Sequence, residues 1–205
     1  MDMKRQVACA LMIAALSTPA FAQSAASTPA AATSSDPRQE GVKVHGDWTL
    51  TVRNPDGTVA AVHEFKNALS IGAGADQRLA SLLGGEAVPG HWVIGFGLTP
   101  SNGCGGVGCF ISEVPLSFSH STNLTKSIAT GGLDVGKLVL QGSVRMVNAA
   151  SIILVITQLT TCAGTTSPDT CAAANYSEFT RRFLPQGIAV SGDQLVEVKV
   201  VISFS

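Results

Sequence analysis

The stretch WTLTVRNPDGTVAAVHEF, residues 48–65, decides the fold of this chain. Its centre, NPDG, suits a type I turn that closes with a bulge. Pro55 fixes φ at the first central position, Asp56 can bond the neighbouring backbone, and Gly57 can adopt the left-handed conformation. Apolar and polar residues alternate on both sides of the turn, which is typical of strands with one buried face. The sequence therefore predicts an antiparallel hairpin.

The turn also predicts a register for this hairpin. If the loop consists of residues 55–57, Asn54 faces Thr58 and the outer pairs follow. These pairs are Val52 with Ala60, Leu50 with Val62, and Trp48 with Glu64. Paired residues share a face, so one face is predicted to collect Trp48, Leu50, Val52, Ala60 and Val62. A hairpin alone is marginal in water, so we expect the rest of the chain to cover this face.

The N-terminus, residues 1–22, reads as a secretory signal peptide. A positively charged start is followed by a short apolar run at residues 7–16 and by an Ala-Phe-Ala site that predicts cleavage between Ala22 and Gln23. The apolar run is too short to span a bilayer comfortably. We therefore expect export to the periplasm or the extracellular space, with no membrane span after cleavage. A lipoprotein acylated at Cys9 is the disfavoured alternative.

Two further segments follow the signal peptide. Residues 23–41 are rich in Ala, Ser, Thr and Pro and have almost nothing to bury, which predicts a disordered linker. Residues 42–205 are rich in Gly, Val, Ile and Thr, and they are long enough to form one sizeable core. We predict a single β-domain there.

Four cysteines remain after signal cleavage, and an even number in an oxidising compartment indicates two disulfides. We expect the local pairing, Cys104 with Cys109 and Cys162 with Cys171, although four cysteines permit three pairings. A zinc site is the disfavoured alternative, because the spacings lack paired C-x2-C motifs.

The β-domain is predicted to contain about eight strands and one short helix. Residues 75–83 form the helix, with Asp76 as its cap, a Leu79, Leu82 and Leu83 stripe, and Gly84-Gly85 at its end. The remaining strands are expected at residues 91–98, 110–118, 138–146, 152–156, 179–188 and 196–204, and the run 152–156 is expected to be buried on both faces. This order predicts an all-β fold, either an antiparallel β-sandwich or a flattened barrel.

The sequence predicts no catalytic, cofactor-binding or metal site. Gly103, Gly105 and Gly108 match a dinucleotide fingerprint, but a strand follows them instead of a helix. The start of a zincin motif at His63-Glu64 lacks the second histidine. The four histidines, His45, His63, His91 and His120, show no ligand-like spacing.

Charge and composition exclude further functions. The chain has a net charge of −1 with 13% charged residues, so no basic patch indicates nucleic-acid binding. Two acid pairs, Glu113 with Asp134 and Asp193 with Glu197, could meet in a cleft, but surface carboxylates are the commoner case. Sequons begin at Asn123 and Asn175. The alternating C-terminal strand also fits a small outer-membrane barrel, although the chain lacks the aromatic girdles of that class.

Several short motifs together resemble small phage-type structural proteins, such as tail-fibre and virion-associated β-domains, and their chromosomal relatives. The matching pieces are Trp48, residues 54–57, FKNAL at 65–69, residues 79–83, residues 92–98 and VSGDQLV at 190–196. The resemblance implies a structural β-domain without catalytic residues.

We therefore expect an exported, non-enzymatic structural or adhesive module. Its partner, an unidentified protein or surface, is expected to bind at the loops around the two disulfides. The alternatives are a periplasmic hydrolase or small-ligand-binding protein, with a concave site, and the outer-membrane barrel. The sequence leaves the oligomeric state open.

Overall fold

The computed structural model describes residues 42–70, 74–167, 170–171 and 176–205. The predicted signal peptide at residues 1–22, its cleavage site at Ala22 and Gln23, and the predicted linker at 23–41 lie outside the described residues.

The described residues form nine strands and one α-helix. The elements are β1 (Val44–Arg53), β2 (Val59–Leu69), α1 (Ala75–Leu83), β3 (Ala87–Thr99), β4 (Cys109–Ser112), β5 (Thr125–Ile128), β6 (Leu138–Arg145), β7 (Ala150–Ala163), β8 (Tyr176–Val190) and β9 (Leu195–Phe204). A single 3-10 turn, Gly132–Asp134, lies between β5 and β6. The all-β prediction with one short helix is confirmed.

The strands form one curled sheet in the order β4-β3-β7-β8-β2-β1-β9-β6-β5, and every neighbouring pair of strands is antiparallel. Of the two predicted all-β architectures, the sandwich and the flattened barrel, the sandwich would have two separate sheets. One continuous sheet wraps around the core as a half-barrel, which is closer to the flattened-barrel alternative. The core is packed by large buried side chains, among them Trp48, Leu50, Ile94, Phe96, Leu140, Ile152 and Ile202.

The segment before β5 brings the two ends of the sheet together. The Leu124 amide donates to the Ser112 carbonyl at the end of β4, at 3.1 Å. Asn123 reaches β6 on the other side, where its Oδ1 accepts from the Ser143 amide at 3.0 Å. These bonds use edge groups that would otherwise be unpaired, so they stabilise the curl.

The turn of the β1–β2 hairpin is confirmed. The Gly57 amide donates to the Asn54 carbonyl at 2.9 Å, and Gly57 has φ of 86°. Asp56 Oδ1 accepts from the Thr58 amide at 2.9 Å.

The predicted register of this hairpin is wrong by one residue on β2. Arg53 faces Val59, but Val52 faces Ala61, so Ala60 is an extra residue in a bulge. Trp48 consequently faces Phe65 and Leu50 faces His63. A one-residue shift exchanges the faces of β2. Ala61, His63 and Phe65 therefore turn towards the core, while Val62 is 54% exposed.

The helix has the predicted bounds, but its N-terminus differs. The capping residue is Gly74 and no side chain caps the helix, so the prediction of an Asp76 cap is wrong. Its C-terminus is a Schellman motif, in which the Glu86 amide bonds the Ser81 carbonyl at 3.0 Å. Gly85, with φ of 74°, supplies the left-handed residue that this motif needs.

Strand β3 is buried on both faces. Trp92, Ile94 and Phe96 belong to the core of the curled sheet, whereas Val93 is buried on the outer face. Strand β7 differs from its prediction, because a register shift at residues 152–154 turns Ile153 outward, where it is 38% exposed.

Candidate binding cleft

An apolar cleft of about 640 Å³ opens at one end of the curled sheet. One wall comes from α1, and the opposite wall comes from β5, β6 and the end of β9. The lining residues are Leu79, Leu82, Leu83, Pro89, Trp92, Lys126, Ser127, Ile128, Leu138, Leu159, Phe179 and Phe204. The cleft therefore combines residues from α1 and β3 with residues from strands later in the chain.

The floor of the cleft is aromatic. Trp92 on β3 and Phe179 on β8 meet edge to face, with ring centroids 5.3 Å apart and an interplanar angle of 89°. Both rings and Leu159 beside them are buried. Edge-to-face pairs are favoured by the ring quadrupoles, so this floor is preformed.

The rim of the cleft carries large apolar side chains in contact with solvent. Leu83 is 69% exposed, Ile128 is 59% exposed and Phe204 is 53% exposed. They come from α1, β5 and β9, yet all three line the same cleft. Contiguous exposed apolar surface on a folded protein commonly marks a binding site.

Among the described residues that line the cleft, Lys126 is the only charged one. Its ammonium lies 3.3 Å from Glu113 Oε1 and donates to the Gly90 carbonyl at 3.4 Å. Glu113 is held in turn, because its Oε2 accepts from the Trp92 amide at 2.6 Å. His91 Nδ1 lies 3.9 Å from the same carboxylate oxygen. The cation is thus tethered at the mouth of the cleft.

This arrangement suits binding better than acid–base chemistry. An apolar pocket with a single placed polar group holds and orients a ligand. Glu113, the carboxylate beside this cation, already accepts from the Trp92 amide and lies against Lys126.

No match was found when the chain was compared with protein-family models, with curated proteins or with solved structures. The resemblance to phage-type structural proteins therefore stays a prediction.

The two acid pairs that could have met in a cleft do not form shared sites. Glu113 binds Lys126, whereas Asp134 binds Lys137 and Lys199. The hydrogen bond from Lys137 and the nearby positive charges hold the pKa of Asp134 below its usual value. In the other pair, Glu197 forms its salt bridge with Arg53 on β1, and the Asp193 carbonyl accepts from Arg145.

The histidines lie on different elements. His45 belongs to β1 and His63 to β2, while His91 lies beside Glu113. His120 Nδ1 accepts from the Phe110 amide at 3.3 Å, and burial lowers the pKa of this imidazole. Within the described ranges, no group of three or more metal-ligating side chains comes together.

The glycine-rich loop has a packing role. A Cβ on Gly103 would lie within 2.9 Å of Leu98, Met146 and Ala150 side-chain atoms. The Gly103 carbonyl also accepts from the Val147 amide at 2.7 Å. This glycine therefore lets the loop dock on the β6–β7 turn.

Both predicted disulfides are present, Cys104–Cys109 and Cys162–Cys171. Two disulfides indicate an oxidising, exported environment. In the part of the chain that the structure describes, no helix is both long and apolar enough to cross a membrane. Neither disulfide-tied loop lines the cleft among the described residues, so the expected recognition at those loops stays a prediction.

Sequence reasoning missed the cleft because its walls are far apart in the chain. Strand β5, which supplies Lys126 and Ile128, lies between the predicted strands at residues 110–118 and 138–146. Of the predicted sequons, Asn123 bonds β6, and Asn175 lies outside the described residues.

Proposed function

We propose that this chain is an exported, non-enzymatic binding protein of the periplasm or the extracellular space. Its cleft takes the apolar chain of an amphiphile, with an anionic end group beside Lys126. The observation that carries the proposal is a preformed apolar cleft with one tethered cation at its mouth.

The size of the cleft supports a small ligand. A volume of about 640 Å³ lies in the middle of the range of small-molecule sites, roughly 300–1,000 Å³. Each buried methylene contributes about 0.8 kcal/mol, so eight of them supply about 6 kcal/mol. Association and ordering offset about 4 kcal/mol or more of this gain. Burial of the alkyl chain of the ligand alone therefore gives weak binding, and a contact with its end group is needed for selectivity.

Lys126 gives the cleft this selectivity. Its ammonium has three donors. Glu113 and the Gly90 carbonyl accept from two of these donors, which leaves the third for a ligand. A carboxylate, sulfate or phosphate end group would gain a charge-assisted bond. A cationic end group would gain no such bond.

A titration with three matched twelve-carbon amphiphiles tests the proposal. Dodecanoate, dodecanol and dodecyltrimethylammonium have the same length of alkyl chain and differ in the charge of the end group. We expect dodecanoate to bind tightest and the cationic probe weakest, with the change reported by Trp92 fluorescence. Equal affinity for all three would contradict the assignment of Lys126, and no binding of any would contradict the cleft.

Two matched variants locate the binding. Ile128→Glu places a charge on the rim and is expected to weaken dodecanoate binding at least tenfold, because about 1.4 kcal/mol is tenfold in affinity. Val147→Glu is the control, since Val147 has nearly the same exposure, 60% against 59%, and does not line the cleft. Equal affinity of the two variants would contradict the proposal.

A structural or adhesive module that binds a protein or a surface is the second candidate function. The resemblance to phage-type structural β-domains motivates it. The observation that favours it is an opening within the sheet between β2 and β8, where unpaired strand edges are exposed.

A further inference from the structure

The curled sheet is split between β2 and β8. These neighbours pair only at Ala68 with Arg181 and at Leu69 with Thr180. Beyond these pairs, and within the described residues, Val59 and residues 61–66 of β2 pair with β1 alone, and residues 182, 183 and 188–190 of β8 pair with β7 alone. We call this opening the seam. It differs from the ends of the sheet because two strand edges face one another across it.

The backbone groups that β2 presents to the seam can be assigned. The Ser70 amide donates to the Phe179 carbonyl on β8, at 2.9 Å. The Lys66 carbonyl, four residues earlier, accepts from the Arg182 guanidinium on the same side. Backbone groups alternate sides along a strand. Val62 and Glu64 therefore point their N–H and C=O groups into the seam, where none of the described strands pairs with them.

The β8 side of the seam is shaped by a large bulge. Ile152 faces Ile188 and Leu154 faces Phe183, so Ile153 alone opposes residues 184–187. Gly187, with φ of 59°, permits the bend. Pro185 lies within the bulge and has no N–H to donate. The β8 edge is therefore irregular and poorly suited to pairing, so a further strand would pair with the β2 edge.

The space between the two edges is about 460 Å³. Its lining is Val62, His63, Glu64, Phe65, Leu184, Pro185, Gln186, Gly187 and Ile188. Phe65 and Leu184 pack against the core, so the floor of the seam is apolar. Val62 and Phe183 are exposed at 54% and 62% beside it.

Arg182 closes the narrow end of the seam. Its guanidinium donates to the Lys66 carbonyl and lies 5.9 Å from the centroid of the Phe65 ring. Charged residues at strand edges limit uncontrolled pairing between chains. This contact confines the free part of the β2 edge to the region around Val62 and Glu64.

We propose that the seam binds an extended polypeptide segment of a partner protein, which adds as a strand to β2. A ladder of alternating N–H and C=O groups is complementary to polypeptide backbone. Alternate side chains of the segment would enter the apolar floor, and the others would face solvent. The inference rests on the second candidate function and is independent of the cleft, so the two proposals fail separately.

The probe is the peptide acetyl-KTVTVTVK-amide, which has valines for the floor and lysines for solubility. Its binding to the oxidised domain is followed by amide hydrogen exchange. We expect the Val62 and Glu64 amides to exchange at least tenfold more slowly with the peptide bound. Protection confined to another strand, or no binding at saturating peptide, would overturn the proposal.

Two N-methylated peptides test the ladder without changing the protein. One carries N-methyl groups on the three valines and the other on the three threonines, so each blocks a different edge of the strand. Because only the β2 edge is expected to pair, one peptide should lose at least tenfold in affinity and the other less than threefold. Equal losses, or no loss, would overturn the proposal.

A matched pair of variants tests the β2 edge itself. Glu64→Pro removes the N–H that faces the seam, and Glu64→Ala removes the charge but keeps that N–H. We expect Glu64→Pro to weaken peptide binding at least tenfold and Glu64→Ala less than twofold. Equal binding by folded variants would overturn the proposal. If Glu64→Pro does not fold, the methylated peptides decide.

Discussion

Replacing Val52 and Val62 separately by alanine tests the bulge that sets the hairpin register. The two substitutions are chemically identical and lie on neighbouring strands. Val52 is 1% exposed, and Val62 is 54% exposed because Ala60 is the extra residue of the bulge. Without the bulge, Val62 would face Leu50 and would be buried.

The expected costs follow from burial. Val→Ala removes two carbon atoms, and at about 0.8 kcal/mol each a buried site loses about 1.6 kcal/mol of transfer free energy. The residual cavity raises this cost to about 2–3 kcal/mol at Val52. Val62 is mainly exposed, so we expect about 0.5 kcal/mol there. The change in strand propensity applies to both and cancels in the comparison.

Urea unfolding of the oxidised domain measures both costs. With a slope of about 2 kcal/mol per molar urea, Val52→Ala should lower the midpoint by about 1 M and Val62→Ala by about 0.25 M. Equal shifts of the two midpoints would refute the bulged register. A larger shift for Val62→Ala would support the register read from the turn alone.

Three further substitutions address other contacts. Gly46→Ala should lower the free energy of unfolding by about 1–3 kcal/mol, because its Cβ would lie 2.1 Å from Oδ1 of buried Asn67. Gly131→Ala is the control and should be nearly neutral, because its Cβ would have nothing within 4 Å. Similar costs in urea unfolding would contradict this packing. Replacing Cys162 and Cys171 together by alanine should lower the free energy of unfolding by about 2–3 kcal/mol, and an unchanged urea midpoint would contradict a stabilising role for this disulfide. Burial holds the pKa of His120 below 6.5, so the folded state disfavours protonation and its stability rises as the pH increases towards 6.5. His120→Gln should reduce the difference in unfolding free energy between about pH 5 and about pH 7.5, and an unchanged difference would contradict this assignment.

Local features of the fold were predictable from the sequence because neighbouring residues determine them. The turn at residues 54–57 depends on two of its own residues, because Pro55 fixes φ and Gly57 permits a positive φ. The bounds of α1 follow from its leucine spacing and from Gly85. The disulfides close short loops, so sequence distance was a sufficient guide.

Features that depend on distant pairing were not predictable. The bulge at Ala60 is part of a register that β1 also shares with β9, where Trp48 faces Val200. One continuous sheet, rather than two, depends on β9 lying between β1 and β6. The cleft joins α1 to Phe204, more than a hundred residues later, and no local pattern carries that contact.

Intermolecular NOEs between dodecanoate and the methyl groups of the domain test the central proposal most directly. The account predicts NOEs from the alkyl chain to Leu79, Leu82, Ile128 and Leu138, with the carboxylate end nearest to Lys126. NOEs to another surface, or none at saturating dodecanoate, would contradict the assignment of the cleft as a binding site.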